Sequence, residues 1–118
     1  MSRRPSVLFV ITGDPESSHR PAEAIRIAAA LTAWKKAKVT VYLHDAAMLA
    51  MCEWRWDLVD GDFFESYLPT LDQLGADVFV QKGSSRLGEL DGCRFAFEEM
   101  DEGQLAECSA RATNLIRF

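Results

Sequence analysis

The sequence predicts an α/β fold: a three-layer α/β/α sandwich around a mostly parallel, five-stranded sheet, in a single domain spanning residues 1–118. Short apolar runs alternate along the chain with helical repeats of apolar residues, which is the pattern of strand–helix–strand units. The first run is apolar at nearly every position, as in a strand buried on both faces. A chain of 118 residues is long enough to bury one core.

The first strand–helix unit comes from the amino-terminal third of the chain. Ser6–Thr12 predicts the first strand, and the turn residues of 13–18 predict a loop. Serine and proline between positions 18 and 21 favour a helix start, and the helix is expected to end near Lys36. Its apolar residues recur at helical spacing: Ala24, Ile27, Ala28 and Leu31.

A second unit follows directly. The β-branched and aromatic residues of Val39–His44 predict a strand, and Asp45 is the expected N-cap of a short helix over 46–51. A further helix is indicated by Phe64, Tyr67, Leu68 and Leu71 on one face. Pro69 is expected to kink or restart it, and Gly75 suits its carboxyl-terminal cap.

The last part of the chain completes the sheet. Asp77–Gln81 predicts the third strand, followed by a polar loop and a helical turn over 85–90. The alternation in Arg94–Glu98 predicts a fourth strand with one wetter face. Asp101 is the expected cap of a helix over 102–111, with Leu105, Cys108 and Ala112 on one side, and residues 114–118 predict a closing strand.

Composition restricts the classes of function. The chain carries 13 Lys and Arg against 18 Asp and Glu, a net charge of −5, which argues against nucleic-acid binding. No apolar run is long enough for a membrane span, and the amino terminus has no signal-peptide pattern, so a cytoplasmic protein is expected. The three cysteines form no Cys-x-x-Cys pair. We therefore expect no metal site, disulfide framework or cofactor.

Four segments of this layout resemble the DsrE/DsrF-like family of sulfur-relay proteins. They are Val7–Gly13, the alanine-rich helix leading to Val39–Asp45, Leu74–Val80, and Phe97–Leu105 with its continuation to Phe118. The resemblance implies a three-layer fold with a five-stranded parallel sheet. It also implies a homo-oligomer, often a trimer or hexamer, or association with related DsrE/DsrF-like subunits.

Some members of that family carry persulfide sulfur on a cysteine just after the third strand. The matching positions here are Gln81-Lys82-Gly83-Ser84. A serine hydroxyl cannot replace a thiolate as a sulfur acceptor, because it lacks both the polarisability and the accessible pKa. The resemblance therefore favours a non-catalytic binding or partner subunit connected with sulfur metabolism, since other members also lack the cysteine.

Six residues are the predicted ligand-binding set, and they lie in loops that follow strands one, two and three. Such loops gather at the carboxyl edge of a parallel sheet, where α/β proteins bind ligands. A helix amino terminus there favours a small anion. The six residues are Gly13, Ser18, His19, Asp45, Gln81 and Ser84.

Two catalytic alternatives stay open. Cys52 is the candidate for a sulfurtransferase or persulfide carrier, although the end of a short helix and Glu53 both raise a thiol pKa. Cys93 and Cys108 are expected to be core residues. The adjacent residues His44 and Asp45 suggest a general-base pair, although Asp45 is also the expected cap. His19 is a second candidate for an acid–base residue.

Five aromatic residues fall within a short stretch that charged residues interrupt. Aromatic side chains are enriched in the centres of protein interfaces. We therefore expect this cluster to lie in a subunit interface of a homo-oligomer. Its members are Trp54, Trp56, Phe63, Phe64 and Tyr67.

Overall fold

A computed structural model of the chain describes residues 5–51, 58–93 and 95–118. Five strands lie within these ranges: β1 (Ser6–Ile11), β2 (Lys38–Leu43), β3 (Asp77–Gln81), β4 (Glu98–Met100) and β5 (Asn114–Arg117). The α-helices are α1 (Arg20–Trp34), α2 (Gly61–Gln73) and α3 (Glu102–Arg111). Two 3₁₀ helices cover Asp45–Met51 and Leu87–Leu90.

The strands form one sheet in the order β4-β3-β2-β1-β5, and every neighbouring pair is parallel. The chain steps in one direction from β1 to β4 and then returns across the sheet to β5. Because parallel crossovers are right-handed, the first three connections lie on one face and α3 lies on the other. The predicted α/β fold with a five-stranded parallel sheet is confirmed.

The main core lies between the sheet and the helices α1 and α2. Alternate strand residues face it, including Phe9 of β1, Val41 of β2 and Val80 of β3, all fully buried. Small residues on α1 bring this helix close to the sheet: Ala22, Ala24, Ala28 and Ala29. The alanine-rich first helix therefore packs as its composition predicts.

The opposite face of the sheet is covered by α3 and carries a smaller cluster. Four buried residues form it: Leu8, Val10, Tyr42 and Met100. Leu105 and Cys108 of α3, and Ala112 directly after it, pack against them, yet α3 has no fully buried residue. A ten-residue helix is about 15 Å long, which is short for a crossing from one sheet edge to the other.

The end of α2 confirms the predicted glycine cap. Gly75 has a φ of +75°, and its N–H donates to the carbonyl of Asp72. The next amide, of Ala76, donates to the carbonyl of Leu71. These two bonds are the Schellman arrangement, which needs a left-handed residue and hence favours glycine. Pro69 lies inside α2 without ending it.

The cap of α3 is also as predicted. The Asp101 carboxylate accepts a hydrogen bond from the Gln104 amide at 2.8 Å, and the Gln104 side-chain oxygen accepts from the Asp101 amide at 2.9 Å. Together they form a capping box, which satisfies two amides at the start of the helix. Glu102 in the first turn and Arg111 in the last turn complement the helix dipole.

Some predicted boundaries are wrong. The fourth strand was placed at Arg94–Glu98, but β4 begins at Glu98, because Phe79–Gln81 of β3 pair with Glu98–Met100. Phe95 and Phe97 pack against the main core from a loop. The alternation of apolar and polar residues here therefore reflects burial of the two rings and not pairing in the sheet. Arg94 lies outside the described residues.

Helix α1 ends at Trp34, two residues earlier than predicted. Lys35 adopts a left-handed conformation with a φ of 62°, and its amide donates to the carbonyl of Thr32, which closes the helix. Lys35 and Lys36 directly follow the helix, where positive charge is favourable against the helix dipole.

The aromatic cluster is only partly described, since Trp54 and Trp56 lie outside the described residues. Phe64 is buried in the main core of its own chain and so is unavailable to a partner, which corrects its assignment to an interface. Phe63 and Tyr67 are half-buried, and their rings meet edge to face at 5.9 Å between centroids. Among the described residues, Phe63 and Tyr67 therefore remain the predicted interface residues.

Candidate functional site

The carboxyl edge of the sheet brings together the loops that follow β1, β2 and β3. Because all strands are parallel, their carboxyl ends meet at one edge. The six predicted ligand-binding residues divide into three groups along this edge. Gly13, Ser18 and His19 follow β1, Asp45 and Ser84 meet between two loops, and Gln81 lies on the α3 face.

The loop after β1 packs tightly against the start of α1. A Cβ added at Gly13 would lie 3.2 Å from two ring carbons of Pro21, so glycine allows this close approach. The Ser18 hydroxyl accepts a hydrogen bond from the Arg20 amide at 3.1 Å. His19 occupies the N-cap position without a side-chain cap bond, and its side chain is exposed.

The amides at the start of α1 are largely occupied. The Arg20 amide donates to Ser18, Pro21 has no N–H, and the Glu23 amide donates to the His19 carbonyl. The side chain of Arg20 lies 5.6 Å above the Phe118 ring and donates to the Arg117 carbonyl at 3.3 Å. An anion at this end would therefore depend on the side chains of His19 and Arg20.

Asp45 and Ser84 are joined directly. The Ser84 hydroxyl donates to Asp45 Oδ1 at 2.8 Å and accepts from the Arg86 amide at 3.1 Å. Asp45 has a φ of +48°, a left-handed conformation that costs a non-glycine residue about 1–2 kcal/mol. Asp45 begins the 3₁₀ helix itself, so its predicted role as a preceding N-cap is wrong; its carboxylate connects the loops after β2 and β3.

The adjacent His44 is placed differently. Its amide donates to the Ile11 carbonyl at 2.9 Å, and its ring lies 6.4 Å from the Tyr42 ring. Within the described ranges, no hydrogen bond joins the side chains of His44 and Asp45, because the Asp45 carboxylate turns to Ser84. The geometry does not assemble the general-base pair that the two neighbours suggest.

Gln81 points to the α3 face together with Phe79, two residues before it. There it lines an open groove of about 600 Å³, between the ends of β3 and β4 and the first turn of α3. The other lining residues are Lys82, Met100, Asp101, Glu102 and Gly103. These residues were not predicted from the sequence as part of a site. The parallel order of β3 and β4 is the signal that would have placed the start of α3 beside Gln81.

Tyr42 lies next to this groove at the carboxyl end of β2. Its side chain is almost fully buried. Burial raises its pKa above the ordinary 10.0, and the negative charge of Glu102 raises the pKa further. The Tyr42 hydroxyl is therefore neutral at physiological pH.

Neither of the two described cysteines, Cys93 and Cys108, lies in the loop after β3 at the position of the implied sulfur carrier. Cys93 follows the second 3₁₀ helix, is half-buried against the main core, and its Sγ donates to the Phe95 carbonyl at 3.6 Å. Cys108 packs from α3 against the smaller cluster. Both match the expected packing role. Cys52 lies outside the described residues.

In residues 5–51, 58–93 and 95–118, no three His, Cys, Asp or Glu side chains converge as metal ligands would. Within the same ranges, none of the helices combines the length and apolar character that crossing a membrane requires.

Comparison with solved structures identifies a protein with the same architecture. The crystal structure of the YchN protein from E. coli matches this chain with a TM-score of 0.79, over 97% of this chain and 99% of YchN. The two chains share a fold. Their sequences are 18% identical, so the match concerns the fold alone. The DsrE/DsrF-like fold implied by the resemblance is thereby supported.

Comparisons of sequence give no further assignment. No protein-family model matches the chain. No curated protein matches it either.

Proposed function

We propose that this chain is a cytoplasmic, DsrE/DsrF-like binding or partner subunit connected with sulfur metabolism, which does not itself carry sulfur after β3. It acts as a homo-oligomer or with related DsrE/DsrF-like subunits. The observation that carries the proposal is the loop after β3. This loop offers a hydroxyl where the resemblance implies a thiol, and that hydroxyl is already bonded to Asp45.

The chemistry of this loop supports binding over sulfur transfer. Transfer of persulfide sulfur needs a thiolate that attacks a sulfur atom and then releases it. Ser84 has neither property, and the bonds to Asp45 and Arg86 fix its hydroxyl as part of the loop structure. Cys93 and Cys108 are both half-buried against hydrophobic residues away from this loop.

A single-turnover sulfur-transfer assay tests the absence of a carrier. The protein is incubated with a persulfide donor and an acceptor thiol, and transfer is compared between the unmodified chain and Cys52→Ser. We expect both proteins to give only the uncatalysed rate. Catalysed transfer that is lost in Cys52→Ser would establish the alternative, a sulfurtransferase that uses Cys52.

The subunit interface is the second part of the proposal. Phe63 and Tyr67 on α2 are half-buried in the isolated chain. In the sequence they follow Trp54 and Trp56 by a few residues. Aromatic residues that are partly exposed in a monomer gain burial in an interface. Light scattering is expected to give the mass of a trimer or larger. A single-chain mass at micromolar concentration would contradict the proposed assembly.

A small anion at the β1–α1 loop is the third part. His19 and Arg20 present exposed cationic or ionisable side chains beside Gly13 and Ser18. Titration with inorganic phosphate is expected to shift the NMR signals of the His19 ring and the Arg20 side chain. Unchanged signals at these residues, or equal shifts in His44, would contradict a specific site.

A further inference from the structure

The outer side of α1 lacks the charged residues that a surface helix normally carries. Helix positions three or four apart share a face, and the solvent side of the second half of α1 presents Ile27, Ala30 and Trp34. Ala30 and Trp34 are exposed, and Ile27 is half-buried. From Ile27 to Trp34 the sequence contains no charged residue. We call these three residues the α1 face.

The other two helices follow the ordinary pattern of a surface helix. Exposed positions of α2 include Asp62 and Glu65, and those of α3 include Glu102 and Glu107. Trp34 is 63% exposed, the highest value for a large hydrophobic side chain in the described ranges. An apolar helix surface of this kind is typical of a face that another element covers. The net charge of −5 disfavours an anionic lipid surface as that cover.

The residues on either side of Ala30 make this side of α1 complementary to itself. Arg26, Ala30 and Trp34 lie four residues apart, so they form one ridge along the helix, with the smallest side chain at its centre. If a second α1 crosses antiparallel at Ala30, Trp34 of each copy lies level with Arg26 of the other. A guanidinium group binds the face of a tryptophan ring, and both residue types are enriched in interface hot spots.

Arg26 is already held in place for such a contact. Its guanidinium donates to the carboxylate of Glu23, one turn earlier on the same helix. A side chain that is fixed before association loses less conformational entropy on binding. Lys35 and Lys36 at the other end favour the antiparallel arrangement, because parallel helices would bring the lysines of both copies together.

We propose that the α1 face binds the α1 face of a second copy of the chain across a two-fold axis, with the helices antiparallel and crossing at Ala30. The small side chain there lets the two backbones approach closely, and Trp34 of each copy packs against Arg26 of the other. Because α1 packs beside α2, the contact borders the predicted interface residues Phe63 and Tyr67. The inference rests on the proposed function only in the assembly of identical chains. It adds a symmetry, since a two-fold contact joins the chains in pairs.

Light scattering with a charge placed at the crossing point tests the contact. Ala30→Glu changes an exposed residue of α1, and Ala106→Glu makes the same change at an exposed position of α3. We expect the unmodified chain to form an assembly with an even number of copies, Ala30→Glu to halve its mass, and Ala106→Glu to leave it unchanged. Urea unfolding confirms that both variants are folded.

The outcomes of this experiment separate the inference from the proposed function. An odd number of copies, or an assembly that Ala30→Glu leaves intact, would overturn the α1 contact and leave the proposed assembly standing. A dimer that Ala30→Glu dissociates would support the α1 contact and contradict a trimer or larger. A single-chain mass for the unmodified protein would contradict both. Equal dissociation by Ala106→Glu would mean a non-specific effect of charge and would overturn the inference.

A mixing experiment tests the two-fold symmetry. Ala30→Glu and Ala30→Lys each place like charges opposite one another in a symmetric pair, whereas a mixture of the two places a carboxylate opposite an ammonium. We expect each variant alone to be dissociated, and an equimolar mixture to regain the mass of the unmodified assembly. A mixture that stays dissociated would show that position 30 of one copy does not meet position 30 of the other, and would overturn the proposed crossing.

Trp34→Ala tests the tryptophan of the α1 face, with Leu74→Ala as the control at another exposed hydrophobic residue. We expect Trp34→Ala to weaken self-association about tenfold or more and Leu74→Ala to weaken it less than twofold. Equal effects would contradict a specific contact. Sedimentation with vesicles that contain phosphatidylserine is expected to leave the protein in solution. Vesicle binding that Trp34→Ala abolishes would assign the face to a lipid surface and overturn the proposal.

Discussion

Phe9→Ala is expected to lower the free energy of unfolding by about 3–5 kcal/mol, the range for truncating a buried phenylalanine. Phe9 is fully buried in β1, the strand that pairs with both β2 and β5. Its ring stacks on Phe118 with centroids 6.2 Å apart. Truncation leaves a cavity in the main core and removes the support of the Phe118 ring. Equilibrium unfolding in urea measures the loss.

Leu115→Ala is the matched control in the same sheet. Leu115 lies in β5 on the opposite sheet face from the main core and is 38% exposed. We expect it to cost about 1 kcal/mol or less, because much of its surface already contacts water. Similar losses for the two variants would contradict the placement of β1 at the centre of the core.

Leu71→Ala is the second large effect, with an expected cost of about 2–5 kcal/mol. Leu71 is fully buried on α2 against the main core. Its carbonyl accepts the Ala76 amide in the Schellman arrangement, and this bond survives the substitution because it involves only the backbone. The loss therefore measures side-chain packing alone, and urea unfolding reports it.

Leu74→Ala supplies the comparison three residues later. Leu74 caps the same helix and is 43% exposed. Its truncation is expected to change the free energy of unfolding by about 0.5 kcal/mol or less. If Leu74→Ala cost as much as Leu71→Ala, the side of α2 that faces the sheet would be misassigned.

Local chemistry explains which parts of the fold the sequence reveals. Gly75 and Asp101 act within a few residues of themselves, so a glycine after a helix and an aspartate before one were sufficient to predict both caps. The fourth strand was misplaced because Phe95 and Phe97 alternate like strand residues while packing from a loop. Its true position depends on pairing with β3, which is a long-range contact.

The candidate site could likewise be predicted only where it depends on local sequence order. Sequence order placed Asp45 and Ser84 at one edge of the sheet, but only the folded chain shows that they bond to each other. Gln81 was assigned with them because it ends β3, the strand that precedes Ser84. Strand alternation turns its side chain to the α3 face, where residues from the end of β4 and the start of α3 complete a groove.

Persulfide mapping of the three cysteines tests the central claim most directly. The folded protein is treated with a persulfide donor, digested, and analysed peptide by peptide, with Ser84→Cys as the variant that restores a thiol to the loop after β3. We expect persulfide at position 84 in that variant, and none above background on Cys52, Cys93 or Cys108 in the unmodified chain. Stoichiometric persulfide on one of those three native cysteines would contradict a subunit that carries no sulfur.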